Sequence, residues 1–309
     1  MIKKILKYII TQLLAFFACA VVRRYRPQIV MVSGSVGKTS TKDAVAAVLA
    51  TRFFVYKSEK SFNSEFGVPF TILGVENPWN NPFAWISVIK KALALLLLPN
   101  HYPNLLVLEV GADRRGDLAR ILKIATPDAV VITRLPEIPV HVEAYTSPEA
   151  VREEEFYPAH LLPVDAPLII SADDAYACEM ATHTTAKVFS YGSADDSMIR
   201  VSNTDFYEQE GGVIGMQADV VIGSEHSHLV IKGSVGRTQI LPAVAALAVA
   251  KAFNISMSEA LEALENYEPP PGRGRIFAGK HGSIIIDDSY NSSPVAVEEA
   301  LLSLKIFPH

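Results

Sequence analysis

The chain has 309 residues, half of them hydrophobic and a fifth charged, enough to bury one large core or two moderate ones. A formal net charge of -5 and a pI near 5.9, with Lys and Arg scattered, exclude nucleic acid as a partner, because a polyanion needs a concentrated basic face. The two cysteines, Cys19 and Cys178, lack C-x-x-C spacing, which excludes a zinc centre and suits a reduced, cytoplasmic setting.

At the N-terminus, Lys3, Lys4 and Lys7 precede an apolar run over 8–22 that Arg23, Arg24 and Arg26 close. The run falls short of the roughly 20 apolar residues of a spanning helix and carries Thr11 and Gln12. A cleaved signal requires export, yet arginines and a phosphate-binding motif follow directly. The expectation for 1–27 is an apolar, basic helix that docks on the core or lies at a membrane surface through residues 1–26. A short membrane anchor and a cleaved signal are the alternatives.

From residue 28 onward, short Val/Ile/Leu-rich runs alternate with helical stretches, the pattern of an α/β domain with a parallel sheet flanked by helices, here over 28–268. The strands read at 29–32, 54–56, 105–109, 129–133, 168–171 and 188–191, and helices at 39–50, 66–73, 117–124 and 148–157. The proline-edged segment 78–103, with Trp79, Trp85 and a leucine run, reads as a buried helix inserted between strands. Alternation over 198–231, with Gly211, Gly212 and Gly223, predicts a small antiparallel section of hairpins. A small-residue helix follows at 243–253. Pro269-Pro270-Pro271-Gly272 marks a boundary, beyond which a strand at 283–286 and a helix at 295–304 begin a second α/β unit. One strand and one helix cannot bury a core, so 269–309 reads as the start of a truncated domain.

The chemistry begins where the strand at 29–32 runs into Gly34-Ser35-Val36-Gly37-Lys38-Thr39-Ser40. Glycines let backbone N–H groups point at phosphate oxygens, and the helix that follows presents its positive end. Lys38 then neutralises terminal phosphates and the Thr39 hydroxyl ligates magnesium, so the loop reads as a site for ATP with Mg2+. Val32 stands where the first glycine of the usual G-x-x-x-x-G-K-[ST] motif belongs. Glu109 closes the strand at 105–109, and His141 sits in Pro139-Val140-His141-Val142-Glu143. Both fall where the carboxyl ends of parallel strands face the loop, and both are metal-site residue types. A carboxylate closing an apolar strand is costly unless paired or on a metal. His141 alone reads equally as a surface histidine or a ligand.

The phosphate loop is followed by Asn63-Ser64-Glu65-Phe66-Gly67-Val68-Pro69, Glu109-Val110-Gly111-Ala112, His141-Val142-Glu143, Gly272-Arg273 and Asp287-Asp288-Ser289-Tyr290-Asn291-Ser292-Ser293-Pro294. In this order the blocks resemble the Mur ligases, and within them the branch that adds D-alanyl-D-alanine to a UDP-muramyl-peptide. They cover that family's ATP-binding central domain and the first part of its C-terminal domain. The resemblance implies an ATP-dependent amide-bond ligase of peptidoglycan precursor synthesis, working through an acyl phosphate. It places Lys38 and Thr39 on phosphate and magnesium, Glu109 and His141 at the metal site, Asn291 on the adenine side, and Asp288 on the ribose. Arg273 falls on the nucleotide side near the domain junction, and Asn63 near the muramyl-peptide side of the cleft.

Several departures qualify what the resemblance implies. The family's carbamate-modified lysine is replaced by Glu155, which either supplies the negative charge directly or belongs, with Glu153 and Glu154, to a solvated helix face. Gln239, in Gly236-Arg237-Thr238-Gln239-Ile240-Leu241-Pro242, stands for the first asparagine of the family's G-x-H-N-x-x-N, and the second is lost. The family's UDP-binding N-terminal domain is absent, so the expectation is an incomplete form of the ligase. The alternatives are a related ligase with a lipid-linked or polyglutamate-type acceptor, and an ATP-binding partner subunit without turnover.

Overall fold

The computed structural model describes residues 2–79, 81–139, 142–209, 212–290 and 294–306. Helix α1 (Ile2–Tyr25) precedes strand β1 (Gln28–Ser33), which leads through the glycine loop into α2 (Lys38–Leu49). There follow β2 (Val55–Lys57), α3 (Val68–Leu73), α4 (Pro82–Leu97), β3 (Leu105–Glu109), α5 (Asp117–Leu122) and β4 (Ala129–Ile132). A 3-10 turn (Val142–Ala144) then enters α6 (Pro148–His160), followed by β5 (Pro167–Ser171), α7 (Ala175–Ala181) and β6 (Lys187–Gly192). Strands β7 (Ile199–Gln209), β8 (Gly212–Ile222) and β9 (Glu225–Lys232) run without an intervening helix into α8 (Arg237–Ala252) and α9 (Met257–Glu265). The chain closes with β10 (Arg275–Ala278), β11 (Ile284–Asp287) and α10 (Pro294–Ile306).

One nine-stranded sheet has the order β2-β3-β1-β4-β5-β6-β7-β8-β9. Every pairing from β2 to β7 is parallel, and β8 and β9 add antiparallel neighbours at one edge. Both faces are covered, which explains the unbroken apolar runs in the sequence. In β1, Val30 and Val32 pack into a core shared with α2, α8 and α9, while Ile29 and Met31 pack into a second core under α1 and α3 to α7. Each such buried side chain contributes about 1.5–3 kcal/mol of transfer free energy. The chain leaves β1 toward β2 and returns across it from β3 to β4, so the strand order reverses around β1. A ligand crevice opens at such a reversal, beyond the carboxyl ends of the strands.

Two expectations change, and a third is refined. The 78–103 segment is not buried between strands: α4 lies outside the sheet, with Val88, Ala92 and Leu95 inward and Phe83 79 % exposed on the other side. Only a stripe at i, i+4 and i+7 can meet the layer beneath a helix, so the rest of α4 faces outward. The expected antiparallel hairpins form as β7–β8–β9, and β7 also pairs parallel to β6 through Tyr191 and Ile199, which joins them to the main sheet. Past the prolines, two strands rather than one precede the last helix: β10 and β11 form an antiparallel ribbon, bridged to the main body through Ser234 and Arg275. Helix α9, unread in the sequence, carries a capping box of Ser256 and Glu259 that is a local start signal.

Helix α1 is longer than the apolar run suggested. Its stretch Lys7–Tyr25 meets the length and composition of a membrane-crossing helix, yet Leu14, Ala18 and Val21 are buried in the second core.

Candidate functional site

The loop after β1 is held open by main-chain contacts to the end of β4. Thr133 N donates to Ser33 O at 2.8 Å, and Ser35 N and Val36 N donate to Arg134 O at 3.0 and 3.4 Å. Gly34 has φ +121°, and a Cβ there would collide with the Thr133 side chain, so only glycine fits. Gly37, at φ +87°, precedes α2 and offers no side-chain cap. The first-turn N–H groups of α2 therefore lack side-chain partners at the positive end of its dipole, the arrangement that accepts phosphate.

Lys38 folds back over this loop. Its Nζ donates to Gly34 O, lies 3.4 Å from Ser35 O, and stands 3.9 Å from Oε1 of Glu155. Glu155 arrives from α6 and is anchored twice: Ser33 Oγ donates to its carbonyl at 2.6 Å, and Ser35 Oγ donates to its carboxylate. A helix turns about 100° per residue, so the three successive glutamates diverge. Glu153 is exposed, Glu154 accepts from Gly116 N and Leu118 N at the start of α5, and Glu155 is buried against the loop. The solvated-face alternative therefore fits Glu153 and not Glu155.

Glu109 ends β3 in register with Val32 of β1 and is 2 % exposed. Asn63 Nδ2 donates to its Oε1 at 3.4 Å, while its Oε2 is buried without a hydrogen-bond partner. Burial pushes the Glu109 carboxyl above the usual carboxylate range, against the opposing pull of Lys42, Lys38, the Thr39 hydroxyl and Arg273. Gly111 makes the cluster close: a Cβ there would stand 3.3 Å from Asn63 Nδ2 and 3.5 Å from Lys38 Cε. The Thr39 hydroxyl shares a hydrogen bond with Ser61 Oγ at 2.7 Å. An orphaned carboxylate oxygen beside a hydroxyl is the donor set of a hard divalent cation. Among the described residues no group of three or more His, Cys, Asp and Glu assembles to hold a metal.

A second group gathers at the junction with the β10–β11 ribbon. The Arg273 guanidinium lies over the Tyr290 ring at 4.1 Å. Gly274 has φ +66°, and a Cβ there would meet Val235 O and, at 3.2 Å, the Gln239 amide, so Gln239 lies against this turn. Burial raises the Asp288 carboxyl, with Arg273 opposing. Arg273 thus acts electrostatically on both Glu109 and Asp288, which links the two groups. Ser40 is buried in α2, and its carbonyl accepts from Tyr267 Oη at 3.2 Å. His141 and Asn291 lie outside the described residues.

Sequence reasoning passed over Lys42, whose charge is the largest one opposing the rise at Glu109. It is fully buried in α2, donates to Ser58 O at 2.6 Å and pairs with Asp43 at 3.2 Å. Its spacing of four from Lys38 puts both on one helix face, and that was the available signal.

The profile of the Mur ligase middle domain matches residues 32–250. The UDP-N-acetylmuramoyl-tripeptide–D-alanyl-D-alanine ligase of Bacillus subtilis is 28 % identical over 287 residues, which cover 89 % of this chain and 52 % of that protein. Among solved structures, the MurF ligase of Thermotoga maritima in complex with ADP aligns with a TM-score of 0.77 at 24 % identity, over 96 % of this chain and 61 % of that one. MurF from Acinetobacter baumannii aligns with a TM-score of 0.76 at 18 % identity, over 96 % and 58 %. The chain spans about half the length of the curated relatives it matches. With the match extending over most of a chain whose phosphate loop sits at the reversal of its sheet, the protein belongs to the Mur ligase family through its middle domain.

Proposed function

We propose that this chain carries the nucleotide-binding part of an ATP-dependent carboxylate–amine ligase of peptidoglycan precursor synthesis, one that joins D-alanyl-D-alanine to a UDP-muramyl-tripeptide. The observation that carries the reading is the convergence of Lys38, Thr39 and the buried Glu109 at the sheet reversal, in a chain whose relatives are named for that activity.

On this reading the loop N–H groups and Lys38 bind the phosphates of ATP, and Lys38 exchanges its contact with Glu155 for one with phosphate oxygen. Gln239, Arg273, Asp288 and Asn291 serve the nucleoside side, and Asn63 faces the muramyl peptide. Thr39 and Glu109, with His141, would hold Mg2+, and the partnerless Oε2 of Glu109 fits that role. When bound, magnesium offsets charge on the transferring phosphoryl group. A carboxylate oxygen of the muramyl peptide attacks the terminal phosphorus, and its bond to ADP breaks. The dipeptide amine then attacks the acyl carbon, phosphate leaves, and the amine gives up a proton. Lys38 steadies negative charge throughout.

Calorimetry with MgATP on the chain and on Lys38→Ala tests the loop. Binding should weaken by at least roughly tenfold in the variant, about 1.4 kcal/mol, and equal affinities overturn the assignment. Phosphate release with UDP-muramyl-tripeptide, comparing D-alanyl-D-alanine with a panel of single amino acids, tests the amine. An absence of stimulation by D-alanyl-D-alanine removes that substrate.

A further inference from the structure

Helices α1 and α4 cover the same core side by side. Leu14, Ala18 and Val21 of α1 and Val88, Ala92 and Leu95 of α4 are buried in it. Arg24 Nη1 donates to Leu96 O and Tyr25 Oη to Leu95 O, both at 2.7 Å, which ties the end of α1 to the end of α4. Because both inward stripes meet one core, both outward stripes point away from it.

Those outward stripes are apolar where a solvent-facing helix is ordinarily polar. On α1, half a turn from the buried residues, Ile9, Leu13 and Phe16 are exposed, Phe16 by 66 %. On α4, the spacing that starts at Phe83 brings Ile86, Lys90, Leu93 and Leu97 to the outside. Exposed Trp79 stands just before α4, an amphipathic ring of the kind found at the headgroup level of bilayers. Large apolar side chains on two adjoining helices are a docking face and not the scattered exposure of an ordinary surface.

The charge on this face selects its occupant. Neither α1 nor α4 contains an Asp or Glu, whereas together they carry Lys3, Lys4, Lys7, Arg23, Arg24, Lys90 and Lys91. Beside the outward apolar stripes, Arg23 and Arg24 of α1 and Lys90 of α4 are exposed, so the charge that accompanies this face is positive. A depression of about 560 Å3 lined by Phe16, Cys19, Ala20, Arg23 and Arg24 sets apolar surface beside guanidinium groups. Apolar side chains ringed by Lys and Arg without acids are complementary to an anionic lipid surface, where each cation near the headgroups contributes about 1 kcal/mol.

We propose that the outward faces of α1 and α4 together form a membrane-docking surface that rests on an anionic bilayer, with α1 lying in the interface and not crossing it. A crossing α1 would have to leave α3 and α4, stripping Leu14, Ala18 and Val21 out of the core and breaking the Arg24 and Tyr25 contacts. Lying flat keeps every one of those contacts and immerses only the stripe that is already exposed. The proposal stands apart from the ligase reading, because none of these residues belongs to the phosphate-loop site.

Sedimentation of the full chain with vesicles of phosphatidylcholine, with and without phosphatidylglycerol, is the test. The expected result is binding to the anionic vesicles at least roughly tenfold above the neutral ones, reduced by salt and released by alkaline carbonate. Phe16→Asp combined with Leu93→Asp should abolish binding while melting temperature and ATP affinity stay unchanged. Lys90→Gln should weaken it and leave the fold intact. Binding to neither vesicle, or undiminished binding by the double variant, overturns the proposal. Carbonate-resistant insertion overturns it in favour of a spanning helix. Self-association without vesicles that the double variant dissolves overturns it in favour of a second copy of the chain.

Discussion

Nζ of Lys38 lies 3.9 Å from Oε1 of Glu155, although one residue begins α2 and the other comes from the middle of α6. The carboxylate also accepts a hydrogen bond from the Ser35 hydroxyl, so it occupies two of the loop groups that a phosphate would use. Glu155→Gln keeps the shape and removes the charge that competes with phosphate. Affinity for ADP or ATP measured without magnesium should tighten by roughly three- to tenfold, up to about 1.4 kcal/mol. Calorimetry reads this directly, and an unchanged or weaker affinity refutes the competition.

Glu109 has a consequence for pH. Its folded-state carboxyl titrates above the ordinary range, chiefly because of burial. Its contribution to stability is therefore fully present below the usual glutamate value and is lost as pH rises through the raised one. Glu109→Gln should raise stability at pH 8 by about 1 kcal/mol, a melting shift of about 2–4 °C, and give no gain near pH 4. Thermal melts across that range check the sign. Stabilisation by added magnesium should grow with pH in the native chain and vanish in the Gln variant.

Two neighbouring glutamates should respond differently to the same substitution. Glu154 accepts from Gly116 N at 2.9 Å and Leu118 N at 3.1 Å, satisfying first-turn donors of α5. Glu154→Ala should cost about 1 kcal/mol, the usual effect of losing a helix N-terminal acceptor. Glu153→Ala should stay within about 0.5 kcal/mol. Urea unfolding of both variants measures the contrast, and equal losses contradict the capping role.

Gly34→Ala should destabilise by about 2–3 kcal/mol, from the strain of a left-handed φ and the clash with Thr133. Adding Thr133→Ala removes the side-chain clash but leaves the φ of +121° and the tight approach to the residue 133 backbone N and C, at 3.1 and 3.2 Å, so the double variant should recover only part of the loss. Complete recovery would show that the side-chain contact alone demands glycine.

Much of this protein was legible because its signals are local. Strands buried on both faces announce themselves as runs such as Ile29-Val30-Met31-Val32, and the phosphate loop depends on glycines adjacent in sequence. The blocks carrying Lys38, Asn63, Glu109 and Arg273 supported the family resemblance without any coordinates. The ribbon strand Arg275–Ala278 was missed because a short alternating stretch after prolines and glycines resembles a loop.

What only the tertiary structure decided is direction and company. The sequence Glu153-Glu154-Glu155 gives no sign that one residue faces solvent, one caps α5 and one enters the phosphate loop. That outcome depends on how α6 is rotated against β1 and α5, which is fixed by packing between distant segments. The same holds for Lys42, which acts on Glu109 only because β1 pairs with β3. It holds again for α4, whose apolarity suits burial or exposure equally until α1, α3 and the sheet have claimed one of its faces.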